Sequence, residues 1–209
     1  MKIENGYFNV NKTINLADLS TIDYAKLVGH RPITVTYPAY DDRGMPTKFQ
    51  FKNASSLIVD DIVDMINSAT KKIVILSPYV EDNGLEFISE ILKVKLKKNV
   101  DVKMIARELT EDTNRRDKLI AWLRSNMSSY PNFSLYNYHY VSQSGHIDST
   151  CHAKVVCVDD RIAYVGSADI RQRAIKLNFE IGTIQTGYIA RAISSLLDET
   201  VLVSEKYAL

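Results

Sequence analysis

Cysteine is scarce: the 209 residues contain two, Cys151 and Cys157. They stand six positions apart in a run that reads as a β-strand, roughly 20 Å at the usual rise per residue, too far for a disulfide in that conformation. A zinc site from His146, Cys151 and His152 fails on geometry, because adjacent strand side chains point to opposite faces and a fourth ligand is missing. No apolar run is long enough to span a bilayer, which excludes a membrane-spanning helix. MKIENGYFNVNK shows no signal-peptide pattern, so the expected location is cytoplasmic. Low-complexity stretches and internal repeats are also absent. A strong charge of one sign is lacking too: 26 Lys and Arg against 25 Asp and Glu leave a net charge of +1, so any nucleic-acid binding must come from local patches.

What is present suits one compact α/β unit. With 45% hydrophobic and 24% charged residues, the chain can bury one good core. SSLIVDDIVDMINSATK places Ile58, Ile62 and Ile66 at helical spacing behind a Ser cap, and KKIVILSPYV reads as a buried strand ended by Pro78. A helix follows over 84–98 with Leu85, Ile88, Leu92 and Leu96 inward. Lys93, Lys95, Lys97 and Lys98 near its end oppose the helix dipole. VDVKMIARE is a second strand, 112–126 a helix with Leu119, Ile120 and Leu123 inward, and FSLYNYHYV a third strand. Tyr136, Tyr138 and Tyr140 share one face of that strand, where packing under a helix outweighs base stacking. SQSGHIDST reads as a polar loop, either an ordinary surface loop or one that gates substrate. A short helix near 171–176, the strand FEIGTIQTG and a helix over 188–203 complete the unit. Residues 1–54 form an N-terminal extension. Within it ADLSTIDYAKLV reads as a helix, and ITVTY and TKFQF as a β-hairpin that fits a sheet extension, a dimer arm or a partner-docking element equally well.

The chemistry sits in 152–180, HAKVVCVDDRIAYVGSADIRQRAIKLNFE. His152 and Lys154 are two apart, so on a strand they point to the same face. Asp159-Asp160 reads as a two-residue turn, and RIAYVG as the returning strand. In such a hairpin 152 faces 167 and 154 faces 165. An imidazole, an ammonium and the Ser167 hydroxyl on one patch supply a nucleophile or base, a point charge and a neutral donor, a set that suits a phosphate.

The joint spacing of His152, Lys154, Asp159, Gly166 and Ser167, H-x-K-x4-D-x6-G-S, resembles the phospholipase D superfamily. The resemblance covers about residues 55–205. It implies a mixed β-sheet flanked by helices on both faces and a phospholipase D-like catalytic domain over 55–209. It also implies phosphodiester cleavage through a phosphohistidine, with no cofactor and no metal. His152, Lys154, Ser167 and Glu180 take the catalytic positions, Glu180 as the carboxylate that orients His152. Arg173 and Asn178 match the R-S-x-x-x-N-x-E tail, with Ala174 in place of Ser, and are expected to bind substrate. Asp159 and Gly166 are structural members of the motif. Position 169 departs from the family: its usual Asn, which helps hold the phosphate, is Asp169. A carboxylate there repels a phosphodiester unless it is protonated or paired, with Arg171 or Arg173 as the expected partners.

The chemistry needs one histidine to attack phosphorus and a second to protonate the leaving oxygen. The sequence has one H-x-K; His30, followed by Arg and Pro, is a poor second copy. Two-fold association supplies the second, as in the family's short bacterial endonucleases. The expectation is therefore a homodimeric, metal-independent phosphodiesterase, a nuclease acting on DNA or RNA. No membrane is expected as a partner. A helicase of the kind paired with such domains in antiviral defence is the analogy for a directing partner. A non-catalytic module that binds a phosphate backbone or a protein is the alternative, favoured by Asp169, and a phospholipase ranks below both.

Overall fold

The computed structural model describes residues 34–36, 56–110 and 113–209. The expected N-terminal helix and the strand TKFQF lie outside those residues. β1 (Thr34–Thr36) pairs antiparallel with β10 (Glu180–Thr186) and parallel with β2 (Ser56–Leu57), so the sheet takes a strand from the N-terminal region.

The centre of the sheet is β3 (Lys72–Leu76), β4 (Asp101–Ala106) and β5 (Phe133–Asn137), mutually parallel and linked by helices. α1 (Ile58–Ser68) leads into β3, α2 (Asp82–Lys97) joins β3 to β4, and α3 (Asn114–Met127) joins β4 to β5. The hairpin of β8 (Lys154–Val158) and β9 (Ile162–Gly166) adds antiparallel to β3. After α4 (Gln172–Lys176), β10 pairs with β9, α5 (Gly187–Val203) crosses back, and β11 (Glu205–Tyr207) closes the far edge on β5. The order is β11-β5-β4-β3-β8-β9-β10-β1-β2. It is a mixed sheet with helices on both faces. On one face Ile62 and Ile66 of α1, Leu85, Ile88, Leu92 and Leu96 of α2, and Leu119 and Leu123 of α3 pack on Ile73, Ile75, Val156 and Val158. On the other, Ala190 and Leu197 of α5 cover Val74, Val155 and Cys157. Each large aliphatic buried in this way contributes about 1.5–3 kcal/mol.

Several local expectations need correction. α1 has Leu57 as its N-cap residue and no side-chain cap, because the chain enters directly from β2 rather than from a Ser cap. Lys95 is buried and its Nζ donates to the carbonyls of Asn67 and Ala69, so it satisfies the end of α1 in addition to opposing its own helix dipole. The strand expected over FSLYNYHYV breaks at Tyr138. Its second half, β6 (His139–Val141), forms a separate two-stranded sheet with β7 (Ile147–Thr150), so SQSGHIDST is largely a β-hairpin rather than a loop. Tyr136 and Tyr138 pack against the core under α5, while Tyr140 is 40% exposed and meets Tyr138 edge to face.

The β8–β9 hairpin is offset by one residue from the simplest reading. Asp159 and Asp160 both have positive φ, as a type I′ turn requires, and Arg161 N–H donates to the Val158 carbonyl. The ladder nevertheless resumes at Val158↔Ile162, leaving Arg161 extra, so Lys154 faces Gly166 rather than residue 165. This register sets the site.

Candidate active site

β8 begins at Lys154, β9 ends at Gly166, β10 begins at Glu180 and β3 ends at Leu76, so all four meet at one end of the sheet. Lys154, Gly166 and Gly182 lie in one row across three strands. Both glycines are needed for space: a Cβ on Gly166 would stand 2.2 Å from the Tyr164 hydroxyl, and one on Gly182 2.2 Å from its ring. Tyr164 fills the gap left by the two missing side chains, and its hydroxyl oxygen accepts from Ala168 N–H, which fixes the loop after Ser167. Burial pushes its phenol up to about 12.

His152 lies just before β8, exposed, and not on the strand itself. Its ring Nδ1 is 3.4 Å from Lys154 Nζ, which also donates to the His152 carbonyl at 2.9 Å. The structure therefore brings the H-x-K pair together through the lysine folding back on the histidine. Ser167 Oγ donates to Glu180 Oε2, and Asn178 Nδ2 donates to Glu180 Oε1 at 3.1 Å. Ile181 N–H donates to Ser167 Oγ at 3.1 Å and Ser167 N–H donates to the Ile181 carbonyl. Glu180 thus organises Ser167 and Asn178, and no hydrogen bond joins it to the His152 ring. Both of its oxygens are already engaged. Asp169, Arg171, Arg173, Ala174, Asn178 and Glu180 line a small cleft beside this group.

Asp169 is held from below. Its Oδ1 accepts from Tyr79 N–H at 3.1 Å and from Ser77 Oγ at 3.2 Å, while Ile170 N–H donates to Ser77 Oγ at 3.0 Å. Its Oδ2 lies 3.8 Å from Lys154 Nζ. Burial raises its pKa above the ordinary carboxylate value, against the opposing pull of Lys154, Ser77, Arg171 and His152. The expected cationic partners were Arg171 and Arg173. The ion pair is instead with Lys154; Arg171 pairs with Glu81 at 2.9 Å, and no ion pair joins Arg173 to Asp169. Ser77 and Tyr79 were not legible as site residues, because nothing in the spacing of the chain links them to a position about ninety residues away.

Asp159 serves the opposite end of the hairpin. Its carboxylate accepts from the backbone N–H groups of Thr70, Lys71 and Lys72, from Thr70 Oγ1 and from Arg161. Burial raises its pKa, but the hydrogen bonds prevail and hold it down at about 2. It ties the α1–β3 turn to the hairpin and stays remote from the reacting groups. Cys151, beside His152, is buried, and burial pushes its thiol up to about 11, so it keeps its proton at neutral pH.

The family described as "Cardiolipin synthase, PLD-like domain" matches residues 62–199. A curated relative, the major cardiolipin synthase ClsA of Bacillus subtilis, is 26% identical over 152 residues. That match takes in 72% of this chain but 29% of the relative, so the chain spans less than a third of its length. Among solved structures, NucT from Helicobacter pylori superposes with a TM-score of 0.57 at 18% identity, covering 71% of this chain and 90% of that one. The phospholipase D family member Nuc from Salmonella typhimurium gives 0.56 at 18%, covering 85% and 98%. Among the described residues, no helix is long and apolar enough to cross a membrane.

Proposed function

The chain belongs to the phospholipase D superfamily, and from that premise we propose that it is a metal-independent phosphodiesterase, a nuclease that cuts DNA or RNA at a site shared across a homodimer. The observation that carries this reading is the convergence of His152, Lys154, Ser167, Asn178 and Glu180 on one end of the sheet. A ring nitrogen of His152 attacks phosphorus, forming an N–P bond as the P–O bond to the leaving strand breaks. The leaving oxygen takes its proton from His152 of the partner subunit. Water then attacks the phosphohistidine and gives a proton to that second imidazole, and the N–P bond breaks. Lys154 of each subunit balances the phosphate charge, with the second amide N–H of Asn178 as a neutral donor and Ser167 holding Glu180.

A second reading rests on Asp169. Its ion pair with Lys154 occupies the ammonium that would hold the phosphate, which favours a non-catalytic module binding a nucleic-acid backbone or a protein partner. Hydrolysis of DNA, RNA and an aryl phosphodiester in EDTA, by wild type and by His152→Ala, separates the two readings.

A further inference from the structure

Beyond the histidine and lysine, two arginines share one aromatic ring at the same end of the sheet. Arg107 follows β4 and its N–H points at the Pro78 carbonyl; its guanidinium carbon lies 4.2 Å from the Tyr79 ring centroid. The guanidinium carbon of Arg171, in the loop after Asp169, lies 5.4 Å from the same centroid. Arg171 Nε donates to Glu81 Oε1 at 2.9 Å, whereas Arg107 Nε lies 2.9 Å from Glu108 Oε1 as an ion pair but is buried without a hydrogen-bond partner. The terminal amino groups of both arginines have no hydrogen-bond partner among the described residues.

This arrangement is costly for the fold alone. Two like charges gathered on one ring repel, and a bidentate glutamate pairing would have spent more of their donors. Glu108 reaches Arg107 with its backbone at φ 57, the left-handed region that non-glycine residues seldom occupy, and it also lies 3.8 Å from Arg116. The cluster adjoins the reacting groups. Tyr79 N–H donates to Asp169, and Arg107 acts electrostatically on Cys151, the neighbour of His152. β4 stands two strands from β8, about 10 Å at the usual strand spacing, so Arg107 lies within reach of the nucleotide next to one bound at Lys154.

We propose that Arg107 and Arg171, held on the ring of Tyr79, bind the phosphate that flanks the scissile one on a nucleic-acid strand. The proposal rests on the phosphodiesterase reading of the His152 site and deepens it by naming the substrate class. Most glycerophospholipids offer one phosphodiester and nothing to place at this second position; cardiolipin carries two, and a polynucleotide alone places a phosphate there at every register. Tyr79 gathers the two planar guanidiniums on one ring by cation–π attraction.

The test is a preference, not an activity. For wild type, Arg107→Gln and Arg171→Gln, kcat/KM is measured on a short single-stranded oligonucleotide and on bis(4-nitrophenyl) phosphate. The ratio of the two should fall about tenfold in each variant, and the salt slope for oligonucleotide should flatten by about one. An unchanged ratio in both variants, each folded as wild type by circular dichroism, overturns the proposal. Oligonucleotide affinity in the His152→Ala background separates this from the wider reading. If wild type hydrolyses neither substrate yet affinity still falls tenfold with Arg107→Gln, the clamp stands and the enzyme does not. If the aryl diester is cleaved but the oligonucleotide neither binds nor reacts, the enzyme stands and the clamp does not.

Discussion

Lys154 Nζ and Asp169 Oδ2 lie 3.8 Å apart, with the lysine also against the His152 ring and the aspartate anchored to Ser77 and Tyr79. The one ammonium of the H-x-K motif is thus shared between a carboxylate and an imidazole. A phosphodiester arriving at this site competes with Asp169 for Lys154.

Asp169→Asn removes the competing charge and keeps an oxygen that can accept from Tyr79 N–H. Cleavage of an aryl phosphodiester at neutral pH should stay the same or rise, by up to about tenfold, the worth of one modest charge–charge interaction near a surface. A large loss in this variant, with the fold intact by circular dichroism, would show that the carboxylate itself takes part in the reaction.

The same carboxylate sets a pH dependence of stability. Its folded pKa lies above the ordinary value, so between the two the native state holds more proton than the unfolded chain, and stability falls as pH rises through that interval. Asp159 works in the opposite sense. Its pKa of about 2 means that its contribution is present above the ordinary carboxylate value and is lost as pH falls toward about 2. Urea unfolding across acid and neutral pH should show Asp159→Asn destabilised by about 2 kcal/mol at pH 7, with the difference from wild type shrinking in acid. A difference independent of pH would contradict the assigned hydrogen bonds.

Gly166→Ala and Gly182→Ala each drive a methyl into the Tyr164 side chain at 2.2 Å. Each should cost about 1–3 kcal/mol by thermal or denaturant unfolding, with part recovered for Gly166→Ala by Tyr164→Phe, which removes the clashing hydroxyl. Full stability in both glycine variants would mean that the ring can move aside.

Two-fold association is the remaining requirement of the mechanism. Light scattering at micromolar concentration should give twice the mass of one chain. A monomer with full activity would rule out a shared site, since the His152 motif occurs once in the sequence.

Much of this arrangement was legible in the sequence wherever periodicity or a fixed motif set it. The aliphatic spacing of 85, 88, 92 and 96 located α2 and its buried face, and the apolar run before Pro78 located β3. The register of the β8–β9 hairpin was not legible, because the turn residues Asp159 and Asp160 fit a two-residue loop and nothing local shows that Arg161 is extra. The Ser167–Glu180 bond escaped as well, because it depends on the pairing of β9 with β10, in which Gly166 faces Gly182. The break at Tyr138, the edge strand β11 and the anchoring of Asp169 by Ser77 and Tyr79 all depend on long-range pairing, which spacing along the chain does not encode.

Every step of the proposed reaction depends on His152 cleaving a phosphodiester without a metal. The most direct measurement is hydrolysis of single-stranded DNA, RNA and bis(4-nitrophenyl) phosphate in EDTA by wild type and His152→Ala. Wild type should cleave a nucleic acid and the aryl diester, and His152→Ala should cleave neither, because attacking nucleophile and proton donor are lost together. Absence of EDTA-resistant cleavage on all three substrates, in wild type and in Asp169→Asn alike, would contradict it and leave the binding module.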